Sequence, residues 1–309
     1  MKILVTGGAG FIGSHIVDGL LESGHEVVIV DNLSTGFRGN VNPRATFYET
    51  DLLHPQTAEI FSREKPDIVN HHAGHGNVRE AVANPSFDAR QNIMASLRVI
   101  ELCRENNVRK IIFSSTGGAV YGEPVYLPVN ENHPIRPLSP YGISKHTVER
   151  YLDFASANFG LNYTILRYAN VYGPRQNPHG ESGVIAIFAD KMLRGERPII
   201  FGDGNATRDY VFVQDVVQAN LLALEAGDQC IYNIATCRQV SINEIFNELR
   251  RVTGIEIEAI HVPLKPGEVD RICLTYDKIQ KDLGWKPLTS LEEGLAKIAD
   301  YYRPTRQEV

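Results

Sequence analysis

The chain has 309 residues, 43% of them hydrophobic, which is enough to bury a large core and predicts a soluble globular protein. Its 31 basic and 37 acidic side chains give a net charge of -6, so no general positive field attracts nucleic acid or an anionic membrane. The four cysteines form no Cys-x-x-Cys pair, so we expect reduced thiols and no metal site. No run of about eighteen apolar residues occurs, so we expect no signal peptide, no membrane span and a cytoplasmic protein.

Short β-branched, apolar runs alternate with helical patterns along the first half of the chain. The runs that we expect to form buried parallel strands are Lys2 to Thr6, Glu26 to Asp31, Thr46 to Thr50, Asp67 to His72, Lys110 to Ser115 and Tyr163 to Tyr168. Between them, apolar residues recur at helical spacing from Phe11 to Leu21 and from Ile93 through Met94 to Ile100. This alternation predicts an α/β fold with a Rossmann-type, doubly wound parallel sheet.

The rhythm changes after Gly173-Pro174, where loops lengthen and elements shorten. We therefore predict a Rossmann domain over residues 1–172 and a smaller α/β region over residues 173–309, with some of its elements packing back on the first domain. Three helices are expected in the second region: around Val216 to Ala226, after the capping box Ser241-Ile242-Asn243-Glu244, and from about Leu291 to Tyr302.

Three glycines follow the first strand and open a helix in the pattern Gly7-x-x-Gly10-x-x-Gly13. Without side chains, the backbone can turn tightly and approach a pyrophosphate, whose charge is favoured at a helix N-terminus. Asp31 ends the second strand 18 residues after Gly13, where its carboxylate can accept hydrogen bonds from both ribose hydroxyls and would repel a 2′-phosphate. The pattern predicts a dinucleotide site that prefers NAD to NADP.

A tyrosine and a lysine, Tyr141 and Lys145, stand four residues apart after Ser139-Pro140. Ser139 suits a helix N-cap and Pro140 the first helical position, so the two side chains should lie on one helix face. We expect the neighbouring cation to lower the phenol's pKa from its usual ~10, which would make Tyr141 a useful general base.

Further motifs stand in a fixed order along the chain. They are Thr6-Gly7-Gly8-Ala9-Gly10-Phe11-Ile12-Gly13-Ser14, Asp51-Leu52, His72-Ala73-Gly74, Phe113-Ser114-Ser115-Thr116, Val120-Tyr121-Gly122, Tyr141-Gly142-Ile143-Ser144-Lys145 and Arg167-Tyr168-Ala169-Asn170-Val171-Tyr172-Gly173-Pro174-Arg175. The series resembles the extended short-chain dehydrogenase/reductase family, most closely its branch that epimerises UDP-sugars at the fourth carbon. The likeness covers nearly the whole chain.

This resemblance implies that the first domain binds NAD. The cofactor-binding residues that it implies are Gly7, Gly10, Phe11, Ile12, Gly13, Asp31, Asn32, Asp51, Leu52, Ala73, Gly74, Asn92, Ser114, Tyr141, Lys145 and Tyr168. Among them, Asp51 and Leu52 would contact the adenine, and Asn92 would support the site from a neighbouring helix.

The resemblance also implies a catalytic set. Tyr141 would take the proton of a sugar hydroxyl as hydride leaves for the nicotinamide, and Lys145 would hold the ribose. A hydroxyl at the end of the fifth strand would bond the reacting oxygen, and we assign this role to Thr116. Three residues, 117–119, separate Thr116 from Val120 where the family often has two, so Ser115 remains an alternative.

On the substrate side, the resemblance implies a mainly substrate-binding second region, a UDP-sugar partner and a homodimer. The residues implied to bind substrate are Thr116, Asn170, Arg208, Lys265 and Glu268. The implied reaction is NAD-dependent 4-epimerisation of UDP-glucose and UDP-galactose through a 4-keto intermediate.

Two other functions fit the same fold. Nucleotide-sugar 4,6-dehydratases carry an Asp-Glu pair where this chain has Gly117-Gly118 after Thr116. Non-catalytic, NAD-sensing regulators typically lose the tyrosine or the lysine, and this chain keeps both Tyr141 and Lys145.

Overall fold

The computed structural model describes residues 1–179, 183–263 and 271–303. Its strands, in chain order, are β1 (Lys2–Thr6), β2 (Glu26–Asp31), β3 (Thr46–Glu49), β4 (Ile68–His71), β5 (Lys110–Thr116), β6 (Asn162–Tyr168), β7 (Asn170–Tyr172), β8 (Ile199–Phe201), β9 (Thr207–Arg208), β10 (Tyr210–Phe212), β11 (Cys230–Ile234), β12 (Val240–Ser241) and β13 (Ile260–Val262). The expected strands of the first domain are present, with ends that differ by one or two residues.

The helices alternate with these strands. They are α1 (Phe11–Glu22), α2 (Gln56–Glu64), α3 (Val78–Ala83), α4 (Pro85–Ala89), α5 (Ala95–Glu105), α6 (Gly117–Val120), α7 (Pro140–Phe159), α8 (Val184–Leu193), α9 (Val213–Leu222), α10 (Ile242–Thr253), α11 (Asp277–Leu283) and α12 (Leu291–Tyr302). A 3-10 turn spans Arg38–Asn40, and a π-helical turn spans Arg90–Met94 between α4 and α5.

Seven parallel strands form the central sheet in the order β11-β6-β5-β4-β1-β2-β3. Successive residues of β1 enter opposite cores: Ile3 packs with α1 and α9 on one face, and Leu4 packs with α2 and α5 on the other. Helices thus cover both faces, and the predicted Rossmann-type, doubly wound α/β fold is confirmed.

The second region adds a smaller core and three two-stranded sheets, which pair β10 with β7, β12 with β9, and β13 with β8. Phe188, Phe246, Leu249 and Ile298 belong to this core. From the same region, β11 extends the central sheet and α9 packs against α1. The carboxyl ends of the central strands therefore face elements of the second region.

Three local predictions need correction. The π-helical turn shifts the register of the helix around Ile93 to Ile100, so that Met94 is exposed. Helix α9 begins at Val213, one turn earlier than expected, because β10 leads directly into it. At α10 only half of the capping box forms: Ser241 accepts a hydrogen bond from the Glu244 N–H, but the Glu244 carboxylate pairs with Arg238.

No helix in the described ranges is both long enough and apolar enough to cross a membrane. The four cysteines, at positions 103, 230, 237 and 273, are all free thiols.

Candidate functional site

A cleft of about 980 Å³ opens at the carboxyl ends of the central strands. In an open parallel sheet this edge is where ligands bind. Every predicted site residue that the structure describes lines this cleft, except Asn92. Lys265 and Glu268 lie outside the described residues. The cleft therefore brings together residues that are 201 positions apart in the sequence, from Gly7 to Arg208.

The glycine turn between β1 and α1 forms one wall of the cleft. Gly7 has a φ of 70°, and a Cβ there would lie 2.7 Å from the amide nitrogen of Ala73. Gly10 is the N-cap of α1, and a Cβ there would meet only the Gly7 carbonyl oxygen, at 3.2 Å. The bare Gly10 backbone and the N-terminus of α1 thus face the cleft and suit an anion. Phe11 and Ile12 follow in the first turn and are partly buried.

Acidic side chains stand at the ends of β2 and β3. The Asp31 carboxylate is buried, and it accepts hydrogen bonds from the N–H groups of Ala9, at 2.9 Å, and Leu33, at 2.8 Å. Asn32 donates from its amide to Asp51 at 2.9 Å, and Leu52 beside it is buried in the core. These bonds fix two carboxylates at the end of the cleft that lies beyond the glycine turn.

Asn92 lies behind the cleft wall, in the π-helical turn. Its side-chain oxygen accepts from the His75 N–H at 2.9 Å, and its amide nitrogen donates to the His75 carbonyl at 3.0 Å and to Asp88 at 2.8 Å. A Cβ on Gly74 would lie 2.7 Å from the Asn92 oxygen. Asn92 therefore holds the Ala73-Gly74 segment from behind.

Helix α7 presents Tyr141 and Lys145 to the cleft from one face. It begins as predicted, with Pro140 in its first turn and with the Ser139 side chain accepting a hydrogen bond from the Gly142 N–H. The Lys145 Nζ donates to the Ser114 carbonyl at 2.8 Å and lies 6.0 Å from the Tyr141 ring centre. Ser114 in turn donates from its hydroxyl to the His71 carbonyl at 3.0 Å.

The two candidate hydroxyls at the end of β5 have different partners. Ser115 is buried and donates to Glu149 at 2.6 Å. Glu149 also pairs with Arg167, whose Nε lies 2.9 Å and whose terminal nitrogen lies 2.6 Å from its oxygens. Thr116 is only partly buried and lines the cleft near Tyr141. Both residues line the cleft, but the Ser115 hydroxyl is already bonded to the carboxylate of a buried ion pair, which leaves Thr116 as the candidate catalytic hydroxyl.

The far wall comes from the second region and the strands that join it. Tyr168, Asn170 and Arg208 line the cleft there. Asn170 begins β7, and Arg208 lies in β9, where a guanidinium nitrogen donates to the Thr207 carbonyl at 2.9 Å. Arg208 thus places a cation in the same cleft as the glycine turn. Within the described ranges no group of three or more His, Cys, Asp or Glu side chains has the arrangement of a metal site.

Comparison with known proteins shows the family to which the chain belongs. A model of the NAD dependent epimerase/dehydratase family matches residues 3–235, well over half of the chain. The chain belongs to this family. The match confirms the predicted resemblance to extended short-chain dehydrogenases/reductases.

Individual members of the family are similar over their full length. The UDP-glucose 4-epimerase of Mycolicibacterium smegmatis is 39% identical over 99% of this chain and 100% of its own. The structure of a UDP-glucose 4-epimerase from Thermotoga maritima, solved with UDP-glucose, is 50% identical, with a TM-score of 0.96 over 98% of this chain and 99% of its own. A Thermus thermophilus UDP-glucose 4-epimerase in complex with NAD is 40% identical, with a TM-score of 0.95 over the same shares.

The electrostatics of the tyrosine in this family member differ from the prediction. Burial, with a smaller contribution from the Asp88 carboxylate, raises the pKa of Tyr141 to about 12. Burial also lowers the pKa of Lys145 to about 8, although Asp88 and Glu149 oppose that change. The expectation of a lowered phenol pKa is therefore wrong for the protein alone, because burial favours the neutral phenol.

Sequence reasoning missed three polar residues next to the family's site, of which Asp88 and Glu149 are buried and His72 is partly buried. Asp88, in α4, accepts from Ser144 at 2.6 Å and so links α7 to α4. Burial would raise the pKa of Glu149, but hydrogen bonds from Arg167 and His146 outweigh burial and lower it to about 2. His72 begins the motif His72-Ala73-Gly74, which implies no role for its side chain, and it lines the cleft. A carboxylate four residues after Lys145 on the same helix face was the one sequence signal available for Glu149.

Proposed function

We propose that this protein is an NAD-dependent epimerase that interconverts UDP-glucose and UDP-galactose by inverting the sugar's fourth carbon. The observation that carries the proposal is that Tyr141 and Lys145 share one cleft with the glycine turn and Arg208. Full-length similarity to UDP-glucose 4-epimerases supports this choice of substrate.

The cleft fits NAD in shape and in polar groups. Gly10 leaves the N-terminus of α1 bare for a pyrophosphate, and Asp31 offers a carboxylate to the adenosine ribose, with Asp51 and Leu52 beside the adenine. Lys145 holds the other ribose, near Ser114 and Tyr168. Phe11, Ile12, Gly13, Asn32, Ala73 and Gly74 complete the lining, with Asn92 behind it. Bound NAD supplies a hydride acceptor that can return the hydride, and a positive charge close to the catalytic groups.

Tyr141 serves as the acid and base at the sugar's 4-hydroxyl oxygen. With a pKa of about 12 in the protein alone, its phenol keeps its proton at neutral pH. Positive charge beside the phenol is therefore required before it can take a proton. Lys145, with a pKa of about 8, is mainly a cation at neutral pH and provides part of that charge. Thr116 donates to the reacting oxygen, so the 4-keto sugar lies between two donors.

The substrate's diphosphate requires a local cation, because the net charge of the chain is -6. Arg208 supplies this cation, and its planar guanidinium can donate two hydrogen bonds to the diphosphate. Asn170 forms a hydrogen bond with the sugar. Lys265 and Glu268, beyond the described ranges, remain proposed contacts to the phosphate and the ribose of the nucleoside. In this proposal, residues 1–172 hold mainly the cofactor and residues 173–309 hold mainly the substrate.

The two alternative functions gain no support from the cleft. After Thr116 the chain continues with Gly117 and Gly118, so the acid and base of a 4,6-dehydratase are not at that position. A regulator without activity would have no use for the Tyr141 and Lys145 pair, which the cleft retains.

We also propose a homodimer that works in the cytoplasm. Helix α7 exposes Ile143 by 50%, Tyr151 by 40% and Phe154 by 51%, at spacings that place them on one outer face. An exposed apolar face of this kind favours association with a second copy. The four free cysteines suit a reducing compartment.

Product analysis tests the proposed reaction. Purified protein incubated with UDP-glucose should form UDP-galactose without net production of NADH. Tyr141→Phe serves as the control, because it removes only the acid/base oxygen and should keep the fold and bound NAD while losing turnover. The proposal is wrong if the wild-type protein leaves UDP-glucose unchanged, or if it releases a 4-keto-6-deoxy sugar instead.

A further inference from the structure

His72 lies in the wall of the cleft, next to the glycine turn. It follows β4 directly, and its carbonyl carbon would lie 2.9 Å from a Cβ on Gly7. Its ring reaches across β5 and stacks on Tyr168, at the end of β6, with ring centres 5.9 Å apart and an interplanar angle of 21°. His72 therefore lies between the glycine turn and the part of the cleft that contains Tyr141 and Lys145.

A buried chain of hydrogen bonds fixes the proton position on this ring. It begins at Asn220 in α9, whose side-chain nitrogen lies 2.8 Å from the Val216 carbonyl and must therefore be the donor there. The same nitrogen donates to the Tyr168 hydroxyl at 2.9 Å, and the Asn220 oxygen accepts from Asn70 at 3.0 Å. The Tyr168 hydroxyl oxygen is thus already an acceptor.

The proton of Tyr168 then has one acceptor in this chain of bonds. Burial raises the pKa of Tyr168, so its hydroxyl keeps its proton. That proton points to the Nε2 of His72, 3.0 Å away. Because burial, aided by the charges of Lys145 and His71, lowers the pKa of His72 to about 3, the ring is neutral. A neutral ring that accepts at Nε2 carries its proton on Nδ1.

The Nδ1–H of His72 is buried and has no hydrogen-bond partner among the residues that the structure describes. A buried donor without an acceptor has lost its hydrogen bond to water and gained none in return, so such a group calls for a partner that the chain alone does not supply. His72 lines the cleft, which supplies the place for one.

We propose that His72 is a cofactor-binding residue whose Nδ1–H donates to an oxygen acceptor on the nicotinamide riboside half of the dinucleotide, and that Asn220, acting through Tyr168, holds the ring in the required tautomer. The proposal rests on the proposed use of NAD. The strand order supports the assignment of His72 to the nicotinamide riboside half of the dinucleotide. Asp31 and Asp51 lie at the β2 and β3 side of the glycine turn, whereas His72 reaches toward β6 on the other side.

Two substitutions separate this role from a merely structural one. In His72→Asn, the amide nitrogen can reach the position of Nδ1, which keeps the donor and gives up the contact with Tyr168. In His72→Gln, the amide reaches the position of Nε2, which keeps a partner for Tyr168 and gives up the donor. The proposal requires the asparagine variant to be the better binder of NAD, and a structural role requires the opposite.

Affinities are measured by titration calorimetry on nucleotide-free protein, with NAD and with ADP, which lacks the nicotinamide riboside. We expect His72→Gln to weaken NAD binding about tenfold, the size of one lost hydrogen bond, and His72→Asn to weaken it less than threefold. Binding of ADP should change less than twofold in both variants. Equal NAD affinities of the two variants, a better-binding glutamine variant, or an equal loss for ADP would overturn the proposal.

A second measurement uses the unchanged protein. In a sample labelled with ¹⁵N-histidine, the ring nitrogens of His72 should show the neutral form protonated at Nδ1, and NAD should shift the Nδ1 signal. A ring protonated at Nε2, or an Nδ1 signal that does not respond to NAD, contradicts the assignment. If the wild-type protein binds no NAD at all, the proposed function itself has failed, so the two failures can be told apart.

Discussion

At the scale of single residues, the neighbouring hydroxyls of Ser115 and Thr116 show how position decides chemistry. They are adjacent on β5 and both line the cleft, but the Ser115 hydroxyl donates to the buried Glu149. A hydroxyl that already serves a buried carboxylate cannot donate to a substrate without leaving that carboxylate short of a partner.

This difference predicts an order of catalytic losses. Tyr141→Phe should lower kcat about 10³-fold, and Thr116→Ala about 10²-fold, because one removes the acid/base group and the other a donor to the reacting oxygen. Ser115→Ala should lower kcat less than about threefold. Steady-state kinetics of the three variants provide the measurement. If Ser115→Ala proves more damaging than Thr116→Ala, the assignment of the catalytic hydroxyl is wrong.

The buried ammonium of Lys145 predicts a pH-dependent stability. Its pKa is lowered from 10.5 to about 8, so between these values the unfolded chain holds more protons than the folded one. Because of this group, the wild-type free energy of unfolding therefore increases as pH rises from 8 to 10.5. Lys145→Met lacks this contribution, so its stability relative to wild type should fall by about 3 kcal/mol between pH 7 and pH 10.

Denaturant unfolding at the two pH values measures this difference. Lys281→Met, a change at an exposed lysine in α11, is the matched control and should show no comparable change. A stability of Lys145→Met relative to wild type that stays constant or rises between pH 7 and pH 10 would contradict the assigned cost of burying the cation.

At the scale of elements, helix α7 has two faces with separate tasks. Its inner face carries Lys145 and Glu149, which are buried, and its outer face exposes Ile143, Tyr151 and Phe154. A spacing of four residues within the inner set, and of eight and three residues within the outer set, keeps each set on its own side.

The outer face of α7 predicts how the proposed dimer can be broken. Phe154→Arg should convert a dimer to a monomer, because it places a charge in an apolar interface, and light scattering after size exclusion gives the mass. Leu288→Arg, at a residue that is 70% exposed and lies outside α7, should leave the dimer intact. The predicted interface is wrong if Phe154→Arg stays dimeric while Leu288→Arg does not, or if the wild-type protein is a monomer.

How much of these elements the sequence predicts depends on the range of the interactions. The strand β1 and the start of α7 follow from local signals, an apolar run and the Ser139-Pro140 cap, and both are confirmed. The capping box at Ser241 fails because Arg238, outside the motif, takes the Glu244 carboxylate. The helical spacing before α5 places Met94 on the buried face, but Met94 is exposed because a π-helical turn shifts the register there.

The same limit applies to the site. The residue types in the cleft follow from motifs, but the bonds that set their chemistry join distant parts of the chain. Glu149 meets Arg167, Asp88 meets Ser144, and Asn220 reaches His72 through Tyr168. The raised pKa of Tyr141 depends on burial, which a spacing of four residues cannot reveal.

At the scale of the whole molecule, the two parts of the chain build one cleft. The second region extends the central sheet with β11 and packs α9 on α1, and the Trp285 ring nitrogen donates to the Asp215 carbonyl at 2.9 Å, which anchors the chain after α11 to α9. Residues of both parts line the cleft. The division into residues 1–172 and residues 173–309 therefore concerns function, and it stays a prediction.

The central claim is that hydride leaves and returns to the sugar's fourth carbon within this cleft, with Tyr141 moving the proton. Running the conversion of UDP-glucose in deuterated water and examining the product by NMR tests it most directly. Because Tyr141 exchanges only an oxygen-bound proton and the same hydride returns to carbon, the account predicts UDP-galactose with no carbon-bound deuterium. Deuterium at the fourth carbon, or a 4-keto-6-deoxy product labelled at the fifth carbon, would contradict it.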